Sequence, residues 1–173
     1  MGKSKIQREI RQTRPFDSVS QEAGIALLRT SDQLQRRLAA TVEPHGLTAQ
    51  QYNVLRILRG AHPEAVPTLE IATRMIEQAP GITRLLDRLE GKQLIERVRC
   101  LKDRRRVLCT ISAAGLDLLR KLDEPMLETL RACFESLPEE KTRQLIQLLD
   151  DLREGLYKHC LQPNPAKKEE NNR

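Results

Sequence analysis

The segment PGITRLLDRLEGKQLIERVRCLKDRRRVLCTI, residues 80–111, decides the fold. Within residues 80–92, Ile82, Leu85, Leu86 and Leu89 fall at i, i+3, i+4 and i+7, so a helix here buries one apolar stripe. Its other face carries Gly81, Arg84, Asp87 and Arg88, and Pro80 sits where a first helical turn tolerates a missing N–H. Two β-type runs follow, LIERVRC and RVLCTI, separated by LKDRR. Val107, Cys109 and Ile111 recur at every second position, the period of a half-buried strand. The pattern predicts a short helix followed by a charged β-hairpin.

Helix signals surround this segment. Ser18 to Gln21 has capping-box spacing and precedes Ile25, Leu28, Leu34 and Leu38, which predicts a helix over 18–43 stopped by Pro44 and Gly46. Thr48 to Gln51 repeats the box ahead of a second helix whose face is Val54, Leu55 and Leu58 and which ends at Gly60. AHPEAVP is a connector with a short strand around Ala65–Val66. Thr68 caps a third helix, with Leu69, Ala72 and Ile76 as its buried face. Downstream, Ser112 caps a long helix through Leu116, Leu119 and Leu122 that Pro125 kinks or interrupts. A last helix opens at the box Ser136–Glu139, with Pro138 at its first position, and runs to about Cys160. The architecture is mainly α: a winged helix-turn-helix with a β-hairpin wing and long N- and C-terminal helices that suit dimerisation.

Composition agrees. A chain of 173 residues is one domain in length, and with 2% aromatics and no Trp its core is aliphatic. No apolar run reaches membrane-spanning length, and the basic N-terminus lacks the apolar stretch of a secretory signal, which points to the cytoplasm and to no membrane partner. Residues 1–17 read as a flexible basic arm, 18–160 as the winged-helix domain, and 161–173 as a disordered tail. Within the domain, 18–46 and 112–160 are the dimerisation helices and 47–111 the lobe that carries the hairpin.

The net charge of +6 is unevenly spread. Residues 74–106 hold ten basic groups against five acidic ones, whereas residues 112–160 hold seven against ten. Positive charge localised on a short helix and hairpin is what contact with a polyanion needs. A rigid short helix fits the major groove of B-form DNA, where Arg84 and Arg88 can reach a guanine edge or a phosphate. Gln78 and Thr83, near the positive helix end, suit bases or sugar–phosphate oxygens. Asp87 either orients an arginine or reduces repulsion among them, and Gly81 leaves little bulk where the helix start approaches the backbone. At the hairpin tip, Lys102, Arg104, Arg105 and Arg106 suit a narrow minor groove, with Asp103 placed to fix an arginine fork.

LTAQQYNVLRILRG, TRMIEQAPGITRLLDRLEGKQLIER and KDRRRVLCTISAAGLDLL together resemble the MarR family of bacterial winged-helix regulators over residues 20–155. Asp103, Arg104, Arg105, Ser112 and Gly115 carry the most specific part of the pattern. The resemblance implies a homodimer built from the first and last helices, bound to a pseudo-palindromic operator. It also implies repression relieved by a small phenolic or lipophilic effector, for which His45, Tyr52 and Arg56 are candidates by neighbourhood. One departure is Gln93, where the family usually has glycine; Gly91 lies two residues earlier and could shift the turn by one.

Competing readings are fewer. An adaptor that meets an acidic protein partner through the same basic segment is the alternative. Four scattered cysteines and three separated histidines give no metal-site spacing, and no cofactor motif or catalytic pairing appears. The thiols read as core fillers or idle surface groups. Basic neighbours of Cys100 and Cys109 leave a redox-sensing role as a second reading for those two.

Overall fold

A computed structural model describes residues 3–77, 81–100, 103 and 106–161. The chain divides into two compact units, Met1–Leu130 and Arg131–Arg173.

The first unit begins inside the segment expected to be a flexible arm. There Ser4 Oγ accepts the Gln7 N–H at 3.3 Å and opens α1 (Lys5–Glu9). Gln7 is buried, and its side-chain amide donates to the Arg14 carbonyl at 2.9 Å, so this part of the arm is folded. Helix α2 (Val19–Val42) starts at Ser18, whose hydroxyl accepts the Gln21 N–H at 3.1 Å. The reciprocal bond goes one residue earlier than a capping box requires, because Gln21 Oε1 accepts from Asp17 N–H at 2.7 Å. A 3₁₀ turn, Glu43–His45, and Gly46 at φ 71° end it where the sequence placed the stop. Helix α3 (Ala49–Ala61) has the full box, with Thr48 and Gln51 exchanging bonds of 3.2 and 3.1 Å.

Strand β1 (Val66–Pro67) leads into α4 (Thr68–Arg74), and here the sequence reading needs correction. Thr68 does not cap the helix; its hydroxyl donates to the Val107 carbonyl at 3.3 Å, and Pro67 holds the cap position. Leu69 and Ile76 are 79% and 85% exposed, while Ile71 is fully buried and Ala72 half-buried. The periodicity failed because the helix is only two turns long and ends before Ile76.

Helix α5 (Ile82–Gly91) and strands β2 (Ile95–Arg99) and β3 (Val107–Ile111) follow as expected. The three strands form one antiparallel sheet in the order β1-β3-β2. Ile95 pairs with Ile111 and Arg97 with Cys109. Gln93 takes a left-handed φ of 60°, and the Leu94 N–H reaches back to the Leu89 carbonyl at 3.0 Å. Gln93 therefore occupies the left-handed position of the helix-terminating turn, and the turn is not displaced to Gly91.

Helix α6 (Ala113–Phe134) is capped by Ser112, whose hydroxyl accepts the Gly115 N–H at 3.1 Å. Pro125 lies inside it without interrupting it. Leu122 and Met126, buried on either side, give the packing that offsets the missing hydrogen bond. An aliphatic core unites the first unit, from Val42, Val54, Leu55 and Leu58 through Ile71, Leu86 and Leu89 to Ile95, Leu119 and Leu122.

The second unit is dominated by α7 (Glu139–Leu161). It begins one residue after Pro138, so that proline precedes the helix and does not occupy its first position; its carbonyl accepts the Thr142 N–H at 2.9 Å. Leu148, Leu152, Leu156 and Tyr157 are exposed along this helix. Residues 162–173, the expected tail, lie outside the described residues. Among the described residues no helix is long and apolar enough to cross a membrane.

Candidate nucleic-acid interface

Helix α5 is fixed from below. Leu85, Leu86 and Leu89 are buried, and Ile82 packs half-buried against the same core. Four side chains are thereby committed inward, which turns Thr83, Arg84, Asp87 and Arg88 outward, all exposed. The helix opens at Gly81 with φ 97°, a left-handed conformation that glycine adopts without strain. Among the described residues a Cβ there would meet nothing within 4 Å, so backbone conformation, not crowding, explains the glycine. At the other end the Lys92 ammonium donates to the Gly46 carbonyl, and also to Gln51 Oε1 at 3.3 Å. The C-terminus of α5 is thus anchored to the α2–α3 junction.

A second anchor joins α5 to the hairpin. Arg97 on β2 donates through Nε and Nη2 to Glu90 Oε2 at 2.9 and 2.5 Å, and Nη2 lies 2.7 Å from Asp87 Oδ1. The hydrogen bond from Arg97 is the main reason the Glu90 carboxyl stays below its ordinary pKa, and the bond to Glu90 in turn holds the Arg97 proton more firmly. Asp87 accordingly serves an arginine on the neighbouring strand. Sequence reasoning missed Arg97; the available signal was its place two residues after the buried Ile95, on the same side of β2.

Of the hairpin tip, Asp103 and Arg106 are described and both are exposed. The Arg106 N–H donates to the Asp103 carbonyl at 2.9 Å, and the Arg106 carbonyl accepts the Cys100 N–H at 2.9 Å. Gln78, Lys102, Arg104 and Arg105 lie outside the described residues. The structure brings Thr83, Arg84 and Arg88 together on one helix face.

A cavity of about 270 Å³ opens beside this assembly. Leu38, Val42, Met75, Ile76 and Met126 give it an apolar wall, and Tyr52 and Arg56 line it too. Arg56 Nη1 donates to the Tyr52 hydroxyl at 3.1 Å, with the guanidinium 5.9 Å from the ring centre. His45 is exposed in the turn after α2 and does not line the cavity. The cavity rim also holds the chain that leads towards α5. Gln35 of α2 and Gln50 of α3 each donate an amide hydrogen to the Glu77 carboxylate, the latter at 3.5 Å, and Asn53 Oδ1 accepts the Ile76 N–H at 2.9 Å.

The thiols divide. Cys109 is buried, and that burial pushes its pKa up, which removes the low-pKa basis for a sensing role at this position. Cys100 is half-buried and Cys133 exposed.

Comparison with known proteins places this geometry. The MarR family model matches residues 47–107, which span α3 to the start of β3. A MarR transcription factor from Planctomyces limnophilus, known by crystal structure, is 40% identical, with 79% of this chain and 98% of that one aligned at a TM-score of 0.62. The homoprotocatechuate degradative operon repressor of Escherichia coli is 28% identical over 127 residues, 73% of this chain and 84% of that protein. AbsC of Streptomyces coelicolor, a MarR family regulator, shares the fold at a TM-score of 0.73 and 23% identity, over 83% of this chain and 99% of that one. With its winged helix-turn-helix and these relatives, the chain belongs to the MarR family of transcription regulators.

Proposed function

We propose that this regulator represses transcription as a homodimer on a pseudo-palindromic operator and is released by a small apolar effector. One observation carries the DNA-binding part: the buried underside of α5 leaves Thr83, Arg84 and Arg88 exposed on a helix braced against the hairpin. In this reading α5 enters the major groove, with Gln78 near its start, and Lys102, Arg104, Arg105 and Arg106 of the wing follow the adjacent minor groove. The E. coli relative's name as an operon repressor supports repression over activation. Exposed apolar side chains support dimerisation: Val19, Leu27 and Leu28 on α2, and Leu148, Leu152 and Leu156 on α7.

The effector site is the cavity lined by Tyr52 and Arg56. A phenolic or lipophilic compound matches its apolar wall, with Arg56 available to an acidic group. Because Gln35, Gln50 and Asn53 hold Ile76 and Glu77 at the rim, an occupant that displaces these bonds shifts the chain leading into α5. Cytoplasmic residence follows from this role.

The test is a titration of labelled duplex, selected from genomic DNA, by anisotropy with sedimentation in parallel. A dimer whose affinity falls with salt by about one log unit per log unit of salt for each phosphate neutralised is expected. A monomer that ignores duplex DNA at low salt contradicts the reading and favours the adaptor.

A further inference from the structure

The basic face of α5 has an acid in its middle. Asp87 lies three residues after Arg84 and directly before Arg88, and it is about half exposed. On an isolated helix, Arg84 and Asp87 are at the i, i+3 spacing at which opposite charges pair. Such a pair would occupy the arginine that the major groove is proposed to engage, and it would leave a carboxylate facing phosphates. The structure avoids the first and offsets the second. Arg97 reaches across from β2, its side chain only 20% exposed, and takes Asp87 and Glu90 together. Among the described residues no ion pair engages Arg84 or Arg88.

We propose that Arg97 is a positioning residue for DNA recognition: it withholds Asp87 from Arg84, cancels acid charge on the DNA-facing helix and sets the wing strand against α5. The inference rests on the DNA-binding reading above. Arginine is suited to the task because its planar fork can satisfy two carboxylates at once, which a lysine ammonium at the end of a flexible stem does less well. The partial shielding of Arg97 and its two acidic partners set it apart from a side chain that reaches for phosphates.

The experiment measures duplex affinity for the wild type, Arg97→Met, Asp87→Asn and the double variant, with circular dichroism and melting as fold controls. Arg97→Met keeps the aliphatic stem and removes the charge. It is expected to weaken binding roughly tenfold, the scale of one lost base or phosphate contact. Adding Asp87→Asn is expected to restore most of that loss, because the acid that would capture Arg84 is gone. Asp87→Asn alone is expected to leave affinity within about twofold, well below the scale of one base contact. If Arg97 instead touches DNA directly, or merely holds the hairpin, Asp87→Asn restores nothing, and the proposal is overturned. Unchanged affinity in folded Arg97→Met also overturns it. Should Arg97→Met not fold, Arg97→Lys is read in the same cycle: a loss that Asp87→Asn reverses supports the proposal, and no loss or no reversal contradicts it. A wild-type protein that binds no duplex would instead remove the DNA-binding reading beneath it.

Discussion

The Ser112 hydroxyl donates to the Gln93 carbonyl at 2.7 Å and accepts the Gly115 N–H at 3.1 Å. One side chain thus ties the turn that closes α5 to the first turn of α6. Beside it, the Ser112 N–H donates to the Leu94 carbonyl at 3.1 Å, and a Cβ on Gly115 would lie 2.3 Å from that same oxygen. The closeness of these three segments explains why serine and glycine stand three apart here. Ser112→Ala is expected to lower stability by about 1–2 kcal/mol, since it removes a helix cap and leaves a carbonyl without its donor. Thermal melting checks this, and a loss within error would mean that water replaces the hydroxyl.

Gln93 offers the opposite test. It holds φ 60°, a conformation that is strained for a residue with a side chain. Its backbone groups make the turn's bonds, and glycine would keep them. Gln93→Gly is therefore expected to raise stability by roughly 0.5–1 kcal/mol, relief of strain outweighing the added freedom of the unfolded chain. Denaturant unfolding would show the gain as a higher midpoint at unchanged slope.

The features legible in the sequence and those hidden from it differ in range. Ser18, Thr48 and Ser112 announced their helices because a cap reads only three residues ahead. The hairpin was legible because Val107, Cys109 and Ile111 alternate whatever they pack against. Helix α4 was misread for the same reason in reverse: at seven residues it is too short for periodicity to establish a face, and Thr68, an apparent cap, bonds across to β3 instead. Arg97 with Asp87 and Glu90, and Glu77 with Gln35 and Gln50, depend on segments brought together only by folding. Nothing local distinguishes Arg97 from Arg99, which lies two residues on along the same face of the strand.

Asp123 gives a pH signature. Arg59 of α3 donates to both its carboxylate oxygens, at 2.8 and 2.9 Å, and these bonds hold the carboxyl below its ordinary pKa. A carboxyl whose folded pKa is depressed stabilises the fold fully above its unfolded value, and loses that contribution as pH falls through the folded one. The stability difference between wild type and Asp123→Asn is thus expected to be constant near neutrality and to shrink as pH drops below the ordinary aspartate value of 3.8. Both partners are partly exposed, so solvent screening limits the difference to about 0.5–1 kcal/mol. A difference that persists at low pH would show that packing, not charge, carries it.

The outer face of α5 is proposed as the DNA-reading surface. Its most direct test is the affinity of an Arg84→Ala/Arg88→Ala double variant for a duplex that the wild type selects from genomic DNA, at several salt concentrations. A folded variant that binds at least about tenfold more weakly is expected, since each arginine contact contributes on that scale. A folded variant that binds the selected duplex as tightly as the wild type, with the same salt dependence, would contradict it.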